Sequence, residues 1–277
     1  MKKSLKRGLL ALVALSGISG SAWAQALGTS SAQLKAGSWK ALVYYQGVQD
    51  QALNFAVTGS GVCTGPSTIT VVSFPCGSTG ETKAEGSGGA VLLKLIFQPH
   101  EGFQYYLSAG AGDYSLRVAS VSVVNSLTGD RPGFLYGAGA RAVLVPDTLS
   151  APGFALDASL SWQRYYFNEL QPGRTAAQTQ IDQRLDLMQT QVAVETGHLF
   201  KPLGWSVGVE PYGGVKWVRS QAWLKDLAGG GRVGGMKDAV TPFLGVELPI
   251  YEKEGLFAEA SFLGGIQYAA GLNIRFK

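Results

Sequence analysis

Few side chains in this 277-residue sequence could do acid–base or redox chemistry. Two histidines, His100 and His198, are the candidates to activate a serine or a water. His100 lies in the turn-like stretch Gln98-Pro99-His100-Glu101-Gly102, and His198 closes an alternating run before Phe200-Lys201-Pro202. Both read as solvated turn residues. Glu252 and Glu254 flank Lys253 and read as a solvated charge run. The run Gly229-Gly230-Gly231-Arg232-Val233-Gly234-Gly235 superficially resembles a phosphate loop. It lacks the Lys-Ser/Thr partner and the strand–turn–helix setting, so it reads as a flexible loop. Cys63 and Cys76 stand thirteen positions apart in a stretch rich in Gly, Ser and Thr. Two cysteines without a nearby histidine make no zinc site, but in an oxidising compartment they would pair and staple one loop. The sequence therefore predicts no catalytic residue, no cofactor and no metal.

The remaining chemistry belongs to charges spaced through runs of strict alternation. Lys94, Arg141, Asp157, Glu195, Glu210, Lys216, Glu247, Glu259 and Arg275 stand among small or polar residues, with apolar residues at the positions between. The clearest run is the C-terminal one. Ile266, Tyr268, Ala270, Leu272, Ile274 and Phe276 alternate with Gln267, Ala269, Gly271, Asn273 and Arg275. Val240 to Ile250, Phe154 to Trp162 and Phe134 to Leu144 repeat the pattern. Such a period of two means strands with one greasy face.

Segments of this kind lie at about 36–46, 86–98, 103–124, 131–145, 153–168, 183–200, 204–223, 238–250, 255–264 and 266–276. Many reach ten residues, longer than the ~5–6 of soluble strands and close to the ~9–11 of tilted membrane strands. Aromatics such as Tyr105, Tyr106, Tyr165, Tyr166, Trp205, Trp217 and Tyr251 fall near segment ends, as interfacial girdles require. Short and long connectors alternate until a tight Gly264-Gly265 turn. Ile181, Leu185 and Met188 have helical spacing, which makes part of the connector before the 183–200 segment a candidate helix, while the alternation from Met188 to Gly197 keeps strand from about Arg184. Asn54–Thr58 and Thr68–Val72 are candidate partners in a hairpin outside the membrane.

The first 24 residues read as a secretory signal. Lys2, Lys3, Lys6 and Arg7 precede an apolar run over 9–15, and Ala22-Trp23-Ala24 is an A-x-A pattern before Gln25. Four of the 23 basic residues lie there, so the mature chain would balance 19 bases against 19 acids. A neutral chain lacks the basic footprint that nucleic-acid binding needs.

The exported chain resembles the bacterial outer-membrane β-barrel superfamily, which includes opacity-type and OmpA-type small barrels. The sharpest likeness is terminal. Gly271-Leu272-Asn273-Ile274-Arg275-Phe276 resembles the signal read by the barrel-assembly machinery, with Gly271, Ile274 and Phe276 in its key places. Lys277 after the aromatic, and Ala269 where a polar residue is usual, depart from it. The resemblance implies location in the outer membrane, among its lipid, with both termini periplasmic.

Together these readings predict an all-β chain. Residues 1–24 form a cleaved signal peptide and 25–277 a closed antiparallel transmembrane barrel of about ten strands, eight being the alternative. Long extracellular loops are expected at about 47–85, 169–182 and 224–237. A monomer is expected, its nine inward charges forming a salt-bridged plug in a narrow lumen. The role implied is structural or in surface interaction, with the loops available to an extracellular ligand. A narrow pore for ions or small solutes is the alternative, and a lipid-modifying enzyme or protease a weaker third.

Overall fold

The computed structural model describes residues 26–28, 34–58, 79–119, 124–148, 150–172, 179–201, 208–228, 232–251, 253–262 and 265–276. Every element among them is a strand: β1 (Ser38–Thr58), β2 (Thr79–His100), β3 (Phe103–Ala119), β4 (Val124–Thr128), β5 (Gly133–Val145), β6 (Gly153–Pro172), β7 (Thr179–Gly197), β8 (Glu210–Asp226), β9 (Arg232–Pro249), β10 (Glu254–Ser261) and β11 (Ile266–Phe276). All pairings are antiparallel. β11 closes the ring on β1, from Trp39 opposite Phe276 to Gln49 opposite Ile266. β4 and β5 share one lane between β3 and β6. Eleven segments thus make ten lanes, the closed antiparallel barrel that the alternation predicts. Closure satisfies every ladder without leaving an edge, which a membrane demands.

Several strands run further than alternation suggested. Each of the three expected loops is part strand, and the connections reduce to 59–78, 173–178 and 227–231. Asn54–Thr58 pairs with Thr79–Lys83 of β2, and its expected hairpin partner Thr68–Val72 lies outside the described residues. The connector offered as part helix is strand from Thr179 onward, and the strand expected from about Arg184 is present, with ladder partners on β6 and β8. β3 ends at Ala119 rather than at 124, and β8 begins at Glu210 rather than at 204. Trp205 lies outside the described residues.

The extensions change the ring. β10 stops at Ser261 and β11 starts at Ile266, while β1 and β9 continue past them and pair directly at Ala56 and Gly234. Ten lanes at the base therefore become eight at the top. β1 manages the change with a bulge between Val48 and Gln51, where Asp50 takes a positive φ of 54°. One extra residue flips the parity, so that Val48 and then Gln51 and Leu53 face inward.

Outward positions around the base carry Val43, Leu93, Leu107, Tyr136, Leu160, Val194, Val215, Leu244 and Leu272, all exposed. Their exposure makes the apolar belt. Trp39 stacks on Phe97 and Phe103 packs edge-on to Tyr105 at the base. The connections there are 101–102, 146–152, 198–209 and 250–253, and the start of β1 and the end of β11 lie at the same end.

Candidate functional site

Lumen chemistry begins at the base. All nine charges singled out in the sequence project inward, eight of them buried and Arg275 reaching the rim. β5 places Arg141 between β6 and β7, 3.3 Å from Asp157 and 3.0 Å from Glu195. The Tyr106 hydroxyl on β3 donates to Asp157 at 2.7 Å, and the Lys94 ammonium on β2 sits 3.8 Å from the centre of the Tyr106 ring. Across the lumen, Lys216 on β8 pairs with Glu259 on β10 and donates to Ser261. Tyr212 also donates to Glu259, at 3.2 Å. On β9, Oε1 of Glu247 accepts from Lys40 at 2.7 Å, Arg275 at 2.9 Å and Asn273 at 3.2 Å. Glu210 is buried opposite Glu247 in register.

Lys40 was not among the sequence candidates. Its strand carries Leu42 and Tyr44 on the inward face as well, so both faces of β1 read as apolar and the alternation that exposes the other charges is blurred. With Lys40 counted, five bases face five acids. Buried charge is costly unless paired, and this set balances within the ring.

A segment of the chain lies inside the barrel. Leu27 is fully buried among Ala193, Tyr212 and Phe243. Lys94 donates to the carbonyls of Leu27 at 3.0 Å and Ala26 at 3.5 Å. The Ala26 N–H reaches Gln46 Oε1 at 3.3 Å, and the Gly28 N–H reaches Glu259 at 3.0 Å. Residues 26–28 thus touch inward side chains of β1, β2 and β7 to β10, crossing the lumen. Gly28 has φ +66°, and a Cβ there would come within 2.9 Å of Leu42 and 3.1 Å of Phe257. Only glycine fits that turn without displacing the wall.

Above this polar storey the interior changes character. Leu53, Leu116, Val118, Leu127, Phe167, Leu185, Leu187, Leu224 and Val233 join one buried apolar cluster. Tyr114 and Tyr165 stack beneath them, ring centres 4.8 Å apart, with the Tyr114 hydroxyl donating to Gln51. Eight lanes leave an interior that side chains just fill. Two lumen cavities, one beside Ala26 and Glu259 and the other beside Gln46 and Ser108, hold about 10 Å³ each. Each has room for about one water.

The remaining candidates lie apart from this interior. His100 ends β2 opposite Phe103. His198 is not a bare solvated residue, since its Nδ1 lies 2.7 Å from Asp147, which also accepts the Leu199 N–H at 3.0 Å. That contact ties two adjacent turns together. Ile274 and Phe276 face outward on β11. Gly271 faces inward where a Cβ would meet the Val43 carbonyl at 2.3 Å. Cys63, Cys76, Glu252, Lys277, residues 229–231 and the whole signal-like segment lie outside the described residues.

A closed ring with a greasy belt and a polar inside has the fold of the bacterial outer-membrane β-barrels. Among solved structures, the outer membrane protease OmpT from Escherichia coli is similar with a TM-score of 0.50 at 8% identity, over 89% of this chain and 100% of that one. The outer membrane protein OprG from Pseudomonas aeruginosa gives 0.43 at 11%, over 90% and 99%. The translocator domain of the autotransporter NalP from Neisseria meningitidis gives 0.41 at 12%, over 88% and 90%. At such identities the likeness is one of fold alone. No protein-family model and no curated protein matches the sequence.

Proposed function

We propose that this protein is an outer-membrane barrel with a structural or surface-interaction role, its lumen closed to ions and solutes. The observation that carries the reading is the filled interior: residues 26–28 held across the charged storey, under an apolar storey in a narrower ring. A pore needs connected water, and the two cavities beside Ala26 and beside Gln46 each have room for about one. Planar-bilayer recording of the refolded 25–277 chain tests it. The expected result is a silent membrane. Reproducible unit steps would replace this reading with the narrow-pore alternative.

Export belongs to the same proposal. Cleavage after Ala24 would leave Gln25 as the single residue ahead of the buried Ala26. N-terminal sequencing of the membrane-extracted protein should begin at Gln25. The end where β1 starts and β11 stops is assigned to the periplasm, and the barrel-assembly machinery is the expected partner in insertion. Cys63 and Cys76 then belong to the outer 59–78 connection, whose ends are held together by the Thr58–Thr79 pairing. Mass spectrometry of exported protein should find them joined, and two free thiols would remove the staple.

A further inference from the structure

β1 and β11 close the ring, and one polar cluster at that seam holds more than an ion pair. Lys40 on β1 and Arg275 on β11 stand directly opposite each other, and Asn273 lies two residues along β11 on the same inward face. Like charges opposite each other on neighbouring strands repel. Here both cations share one oxygen, Oε1 of Glu247, and Asn273 is its third donor. Lys40, Glu247 and Asn273 are sealed from solvent, at 2%, 0% and 1% exposure. The cluster therefore brings a primary amine, a primary carboxamide and a carboxylate that touches both into one buried space.

These are the three parts of an amide transfer. An amine becomes a nucleophile once an adjacent base has taken its proton. A carboxylate within hydrogen-bond reach of that proton can take it and pass it to the leaving group. At 2.7 Å from Nζ of Lys40 and 3.2 Å from Nδ2 of Asn273, Glu247 is placed for both transfers. Gly255 on β10 pairs with Asn273, and a Cβ there would stand 3.0 Å from Nδ2 and 3.1 Å from Oδ1. Glycine leaves the amide room to turn as its carbon becomes tetrahedral. Arg275 reaches the rim, so expelled ammonia has a way to water beside it.

We propose that Lys40 and Asn273 join in an intramolecular isopeptide bond, with Glu247 as the acid–base catalyst, so that the seam of the barrel is locked covalently. Glu247 takes a proton from the Lys40 ammonium, and Nζ attacks Cγ of Asn273 to form the new C–N bond. The Cγ–Nδ2 bond then breaks. Nζ sheds two protons in all, both carried by Glu247 to Nδ2, which departs as ammonium. Glu247 ends as the carboxylate it began as, and no oxidant or co-reactant is consumed. Arg275 then no longer faces a second cation across the seam. The three groups meet only when β1, β9 and β11 are in place, so the bond forms after closure. It ties residue 40 to residue 273, and a crosslink over so long a loop constrains the unfolded chain strongly. The site stands whether or not the lumen conducts.

The test follows the intact mass of the 25–277 chain as it refolds from urea into detergent. Folding should bring the loss of one ammonia, and the chain kept in urea should show none. Trypsin should then release the peptide 36–83, uncut at Lys40, joined to the peptide 254–275. Lys40→Arg keeps the charge and removes the nucleophile, and Glu247→Gln removes the base. Both should keep full mass and, boiled in SDS, run as a linear chain where the parent runs as a closed loop. Asn273→Asp should form the same bond by losing water instead, which brings it to the mass of the crosslinked parent. Lys35→Arg, at an exposed residue ahead of β1, should react as the parent does. Each variant is first checked for the gel shift of a folded barrel, and the joined peptide of the parent decides alone where a variant does not fold. A folded parent of undiminished mass would overturn the bond. So would an ammonia loss that survives Lys40→Arg, as cyclisation of an N-terminal glutamine would, or one that maps to other peptides.

Discussion

Glu247 gathers three donors on one oxygen, two of them cationic. Glu247→Gln keeps the shape and deletes the charge, so Lys40 and Arg275 are left facing a neutral amide. Lys40 is buried and cannot turn to bulk water, so the loss should approach the ~3–5 kcal/mol of a broken buried pair. Arg275 reaches the rim and softens it by hydration. Urea unfolding in detergent should show this drop, with no current in the bilayer. Unchanged stability with altered ion selectivity would mean a hydrated lumen. Glu247 was legible in the sequence because Val246 and Leu248 bracket it with membrane-facing side chains. Its partner Lys40 was not, because Leu42 and Tyr44 beside it are apolar and inward.

The same logic governs whole strands. β7 begins with Arg184 and Asp186 outward and Leu185 and Leu187 inward, then continues with Val192 and Val194 outward and Gln189, Gln191 and Glu195 inward. Parity never changes, but polarity does. In the membrane a barrel is apolar outside, and beyond it the same barrel must be apolar inside, as any water-soluble ring is. A single hydrophobic stripe was therefore the wrong template for these strands, and their outer halves read as loop or helix. Where one strand stays within the belt, as β11 does, the sequence shows it fully. On β11, Phe276 is outward at the rim opposite Trp39. Burying a large apolar side chain is worth about 1.5–3 kcal/mol, too little alone to unfold a closed ring. Phe276→Ala should thus cut membrane yield in cells far more than the stability of refolded protein. If the two fall together, or if yield is unchanged, Phe276 is packing rather than an assembly signal.

At the scale of the molecule the closure proposed for the lumen has two parts that rest on different physics and can be separated. The lower one is a length of chain, residues 26–28, held by hydrogen bonds and by the burial of Leu27. The upper one belongs to the ring itself, where eight lanes close over Leu116, Leu127, Phe167, Leu187 and Leu224. Deleting residues 25–33 removes the first and leaves the second. Every strand pairing survives, since none uses residues before Ser38. Lys94 loses two carbonyl acceptors, though water entering the emptied storey replaces them in part. Leu27 forfeits about 1.5–3 kcal/mol of apolar burial. The shortened barrel should therefore still fold, unfold at lower urea, and stay silent in a planar bilayer. Steady current from it would locate the barrier in the N-terminal segment alone and make the apolar storey permeable. An unchanged urea midpoint would mean that the segment does not occupy the lumen of the folded protein.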